Sequence, residues 1–210
     1  MSPRKPASAA AGIVLLPDAG PLITLACADA LDLLFKPGWP VQLVDMVLHE
    51  VTRNATPTSE RLAKWARRHR LPVLATRTFD HHVRVAAGAA PAPRKSNLGE
   101  LAIQEVMGGF ALRTPPTRGV FLFEDHKIAR ATFLLPDSCR KVSTRAFLLF
   151  LEQQGIIASA TDVQAHALAA GRAFSQLRFP PAWPKETRGE RHPENRRLPR
   201  RAAIAPVRPA

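Results

Sequence analysis

The sequence predicts a three-layer α/β domain with a central sheet of about five strands, followed by a basic tail. Three observations carry this. Short apolar runs alternate with helical patterns from Ile13 to Ala170, as in domains that cover a sheet with helices. The stretch IVLLPDAGPLITLACADALDLLF, Ile13 to Phe35, reads as a buried strand turning sharply into a helix. Beyond Phe179 the chain mixes Pro, Arg and Glu with little periodic apolar signal, the composition of a segment without a core of its own.

In chain order, residues before Gly12 form a loose arm. The first strand begins at Ile13, and Pro21 suits the first turn of the helix after it, where a missing amide hydrogen costs nothing. KPGWP is a turn, and Val41–Val44 is a second short strand. Asp45 is placed to cap the helix MVLHEVTR, which contains Glu50. Pro57–His69 is the next helix, with Ser59 as a cap candidate and Leu62, Trp65 and Ala66 facing the core. Arg61, Lys64, Arg67 and Arg68 make its other surface basic. LPVLAT is a third strand, and Ala86–Ser96 is an exposed loop. A helix starts near Leu98 and stops at Gly108-Gly109. Val120–Phe123 is the fourth strand, with a helix beginning after Asp125, and Lys141-Val142 belongs to a fifth. RAFLLFLEQQG is a helix ending at Gly155, and Thr161–Ala170 is the last. One domain over 12–170 and a tail over 171–210 result.

The bulk numbers narrow the class. A chain of 210 residues buries one good core. No apolar run reaches membrane-spanning length, and Asp18 interrupts the first one, against a secretory signal; a cytoplasmic location is expected. Cys27 and Cys139 stand alone and far apart, so buried free thiols are expected. The net charge of +13 favours polyanions. It is uneven: residues 171–210 hold 10 basic and 3 acidic residues, about half the surplus. Neither GxxxxGK[ST] nor GxGxxG occurs.

The functional reading turns on Asp18, Glu50, Glu100 and Asp125. Each has a structural alternative. Asp18 and Asp125 suit helix caps, Asn97 with Glu100 suits a capping box, and Glu50 suits an i,i+3 pair with Arg53. Taken together, Asp18 stands just past a strand end, where open parallel sheets build their sites. Carboxylates crowded there repel one another unless a cation lies between them, and hard oxygen ligands suit Mg²⁺ or Mn²⁺. Asp18, Glu100 and Asp125 are the candidate metal ligands, and Glu50 is a ligand or a base acting through water. Ser143 or Thr144 is placed to hold a metal-bound water or phosphate oxygen. His81 and His82 read as surface residues, and His126 as a solvated helix start.

LLPDAGPLITL with DALDLL, then VDMVLHEV, NLGELAIQEV, FLFEDHKIAR and VSTRAFLLFLEQQGII, resemble the PIN domains, in that family's order from about Gly12 to Ile157. The likeness is closest to the bacterial toxin-type ribonucleases of toxin–antitoxin pairs. It implies a central, mainly parallel sheet and an acidic site that binds Mg²⁺ or Mn²⁺ for hydrolysis of RNA. Carried over by position, the catalytic set is Asp18, Glu50, Glu100, Asp125 and Thr144. It also implies RNA as substrate, an antitoxin protein as partner, a homodimer, and no membrane association. Two departures stand out: Asp45 where relatives often carry proline, and Glu124 where they often carry asparagine or aspartate. Glu100, where many relatives carry aspartate, lengthens one ligand arm. The alternatives are a non-catalytic module binding RNA or protein, and a DNA nuclease or phosphatase using the same acids.

Overall fold

The computed structural model describes residues 12–88, 97–114, 116–124 and 135–172. Their order is β1 (Ile13–Pro17), α1 (Ala19–Cys27), a 3-10 turn (Leu31–Phe35), β2 (Leu43–Val44), α2 (Asp45–Thr52), α3 (Pro57–Arg68), β3 (Val73–Leu74), α4 (Arg77–Ala86), α5 (Leu98–Ala111), β4 (Arg118–Phe123), β5 (Cys139–Ser143), α6 (Thr144–Gln153) and α7 (Ala160–Ala169). The N-terminal arm, most of the expected 86–96 loop, the helix expected after Asp125 and the tail past 172 lie outside the described residues.

The fold is mixed α/β with parallel strands, but the main sheet has three strands rather than the expected five. β1, β4 and β5 form one ladder in the order β1-β4-β5, and β2 pairs with β3 in a second. Both ladders are parallel. One parallel bridge, Leu15 with Val41, links them: the Leu15 amide donates to the Pro40 carbonyl (2.9 Å) and its carbonyl accepts from Gln42 (3.1 Å). The division has a local cause. Pro40 and Pro72 stand upstream of β2 and β3 without amide hydrogens to extend a ladder, and the helix α2 begins directly after Val44.

β1 and β4 are buried on both faces, as parallel strands under helices must be: Leu15, Leu16, Phe121 and Leu122 are fully buried. Gly119 permits the close β4–β5 approach, since a Cβ there would lie 2.9 Å from the Cys139 sulfur. α1 packs on α3 and α7, α2 on α1 and α5, α5 on β4, and α6 on β5. Leu62 and Trp65 are buried as their helical spacing requires. Both cysteines are free thiols, Cys139 buried and Cys27 half-buried. Among the described residues, no helix is long and apolar enough to cross a membrane.

Several local expectations are corrected. Thr56, not Ser59, caps α3; Ser59 supplies the reciprocal half of the capping box. Asp45 lies inside α2, whose cap is Val44. Its carboxylate instead accepts from the Thr76 amide (2.7 Å) and hydroxyl (2.8 Å), joining the start of α2 to the start of α4. α5 runs through Gly108-Gly109 to Ala111, since tertiary packing overrides a weak propensity of about 1 kcal/mol per glycine. α4 had no counterpart in the pattern of apolar residues, and none of its residues is buried.

Candidate active site

Two acids follow neighbouring strands. Asp18 comes directly after β1 and Glu124 directly after β4, and the register pairs Pro17 with Leu122. The backbone continues that pairing, with the Asp18 amide donating to the Leu122 carbonyl (2.9 Å). Asp18 holds the cap position of α1 in extended backbone, yet its half-buried side chain makes no capping hydrogen bond. The cap explanation for this acid is therefore not realised.

Thr144 joins the same edge from β5. It is buried, and its hydroxyl donates to the Phe123 carbonyl (3.3 Å), bracing the end of β4. Ser143, its alternative, is taken up as the cap of α6, accepting from the Ala146 amide (3.1 Å).

Glu50 meets the start of α5, the helix that carries Glu100, at a second point. The Glu50 carboxylate accepts from the Gly99 amide (3.2 Å) in the first turn of α5, one residue before Glu100. A helix start carries exposed amides and partial positive charge, so an anion is favoured there. Gly99 makes room: a Cβ would lie 2.8 Å from a Glu50 oxygen. Burial raises the Glu50 pKa, against the lowering effects of the Gly99 amide, Arg53 and His82. Asn97 caps α5 in backbone only, so no capping box engages Glu100.

The two points are linked through packed elements, α1 on α2 and α5 on β4. Asp125 lies outside the described residues, as does His126. Among the described residues, no three His, Cys, Asp or Glu side chains form a metal-binding group. The donors available are carboxylates, the chemistry a hard cation uses.

Sequence reasoning missed three participants. Thr24 is fully buried, and its hydroxyl donates to Glu124 (2.7 Å). Arg172, two residues past the expected domain end, meets the same carboxylate through Nη2 (2.6 Å) and Thr24 through Nε (3.0 Å). The only local signal was a lone threonine among apolar residues of α1. His82 is also half-buried rather than a plain surface residue: its ring lies 5.1 Å from that of His49 across α2 and α4. Burial first, then His82 and Arg53, hold the His49 pKa below its usual value.

No known protein-family model matches the chain, and no curated protein matches it significantly.

Proposed function

We propose that the chain is a metal-dependent endoribonuclease of the PIN type that hydrolyses RNA phosphodiester bonds. The observation that carries this is the placement of Asp18 beyond β1, hydrogen-bonded through its backbone to the parallel strand β4 that leads to Asp125. Strand ends of open parallel sheets are where such folds gather reactive groups.

In this reading Asp18, Glu100 and Asp125 hold Mg²⁺ or Mn²⁺. Such an ion would polarise a phosphate oxygen and lower the pKa of a water, so that hydroxide becomes available as the nucleophile. Glu50, with its raised proton affinity, is suited to accept a proton from water, since a base works best when its pKa approaches the working pH. Thr144 donates its proton to the Phe123 carbonyl, which leaves its oxygen to accept from a bound water. Toxin activity, an antitoxin partner and a homodimer are narrower forms of the same proposal.

The test is cleavage of matched RNA, DNA and phosphomonoester substrates with Mg²⁺ or Mn²⁺, by wild type, D18A and D125A. RNA cleavage is expected, with both variants folded by circular dichroism and at least about 100-fold less active, because losing a metal ligand removes several kcal/mol of charge stabilisation. Cleavage of DNA or phosphomonoester alone would reassign the substrate. Equal cleavage by all three proteins would sink the proposal.

A further inference from the structure

The Glu124 side chain is 3% exposed and that of Arg172 is 17% exposed. A carboxylate so buried must be paired and hydrogen-bonded to stay charged. Two groups do this from opposite ends of the chain. The Thr24 hydroxyl, on α1, donates to Glu124. The Arg172 guanidinium, just after α7, divides its fork: Nη2 reaches Glu124 (2.6 Å) and Nε reaches the Thr24 oxygen (3.0 Å). Two different acceptors fix the plane of the guanidinium as one could not. Gly20 lets the cluster close, since a Cβ there would lie 2.8 Å from the Glu124 Cβ and 3.1 Å from its Oε2.

Three remote pieces of chain are thereby pinned together. They are the first turns of α1, the residue after β4, and the segment leaving α7. The pin lies one residue before Asp125, and Gly20 lies two residues after Asp18. Glu124, which the sequence placed beside a candidate metal ligand, has its charge engaged by Arg172.

We infer that Arg172 is a positioning residue for the acidic site, fixing through Glu124 and Thr24 the end of β4 against the start of α1. The functional half of this rests on the nuclease reading; the geometry does not. Displacing one side of a catalytic constellation by about 1 Å can cost about 100-fold in rate, and losing a group that orients metal ligands typically costs about 10- to 100-fold in affinity or activity.

The experiment compares full-length wild type, R172M, R172K and E124Q. It measures kcat and KM on RNA at saturating Mn²⁺, Mn²⁺ affinity by calorimetry, and thermal melting. R172M is expected to lower kcat by about 10- to 100-fold, weaken Mn²⁺ binding, and leave the KM for RNA within about twofold. R172K keeps the charge but not the two-point grip, so it should recover only part of the loss. E124Q keeps an acceptor for Thr24 and serves if R172M fails to fold. Variants that melt earlier but match wild type in kcat and Mn²⁺ affinity per folded molecule would overturn the positioning role and leave the nuclease reading intact. A wild type that neither cleaves RNA nor binds Mn²⁺ through Asp18 would overturn both.

Discussion

Glu50 carries a cost that its surroundings only partly offset. Burial raises its pKa above 4.5, and the Gly99 amide, Arg53 and His82 pull the other way without cancelling it. A carboxyl group with a raised folded-state pKa stabilises the fold in its protonated form. That contribution is fully present below the unfolded value and is lost as pH rises through the folded one. E50Q removes the charge while keeping an oxygen for the Gly99 amide. It should therefore melt above wild type at pH 7, by the equivalent of at most about 1 kcal/mol because the group is only half-buried and solvent screens it. The gain should shrink towards zero below pH 4.5, the unperturbed value. If Glu50 is the base proposed above, the same variant loses RNA cleavage. A thermal-melt series from pH 4 to 8 decides the stability part: an E50Q difference that is constant with pH, or reversed at pH 7, would show that burial does not penalise this charge.

At the scale of elements, legibility followed where each one gets its stability. β1 and α1 were readable because their consecutive apolar residues bury themselves: Leu15, Leu16, Leu22 and Leu25 are all fully buried. α4 was not, because it buries no residue and is fastened by others. Thr76 caps it by accepting from Phe79 (3.1 Å), and Asp45 grips Thr76. Glu105, reaching from α5, accepts from the amides of Arg77 (2.8 Å) and Thr78 (3.2 Å) and from the Thr78 hydroxyl (3.0 Å). The Asp45 and Glu105 contacts span 27 to 31 residues, outside any periodic window. The Arg172–Thr24 contact spans 148, and so that end of the candidate site was equally invisible. Asp18 and Glu100 were singled out because strand ends and helix starts are local patterns, whereas Glu50, inside α2, was singled out only in company with the other acids. For Glu105, burial raises the pKa, but the two amides, the Thr78 hydroxyl and the Arg77 charge outweigh it and leave the value lowered. A lowered carboxyl pKa contributes stability above the unfolded value, 4.5, that is lost as pH falls through the folded one. Because Glu105 holds the first-turn amides of α4 from a largely solvated position, E105A should loosen α4 at neutral pH by at most about 1 kcal/mol. Hydrogen exchange would report it as faster exchange confined to 77–86. Unchanged exchange there would mean α4 is held by something else.

Charge acts on the whole molecule. A surplus of +13 attracts any polyanion, but the surface assigns different work to residues that look alike in sequence. Arg61, though exposed, is tied to the protein itself, donating to the Ala26 carbonyl and lying 3.9 Å from Asp29. Lys64, Arg67 and Arg68 are exposed on the side of α3 away from buried Leu62 and Trp65. α3 packs on both α1 and α2, the helices associated with Asp18 and Glu50. On the ribonuclease reading proposed above, these three cations are the candidates to hold the phosphates of an RNA strand that leaves those acids across α3. Each phosphate contact to single-stranded nucleic acid contributes about 0.7 to the slope of log affinity against log salt. K64A/R67A/R68A should bind RNA more weakly at low salt, with a slope shallower by about 2 if all three contacts are made. Because these side chains are exposed, the melting temperature should barely change. R61A should do the reverse, lowering the melting temperature while leaving the salt slope near that of wild type. Measuring RNA affinity by fluorescence anisotropy at several salt concentrations separates the two. A triple variant with an unaltered slope would move the RNA path off α3 and onto the other basic residues of the chain.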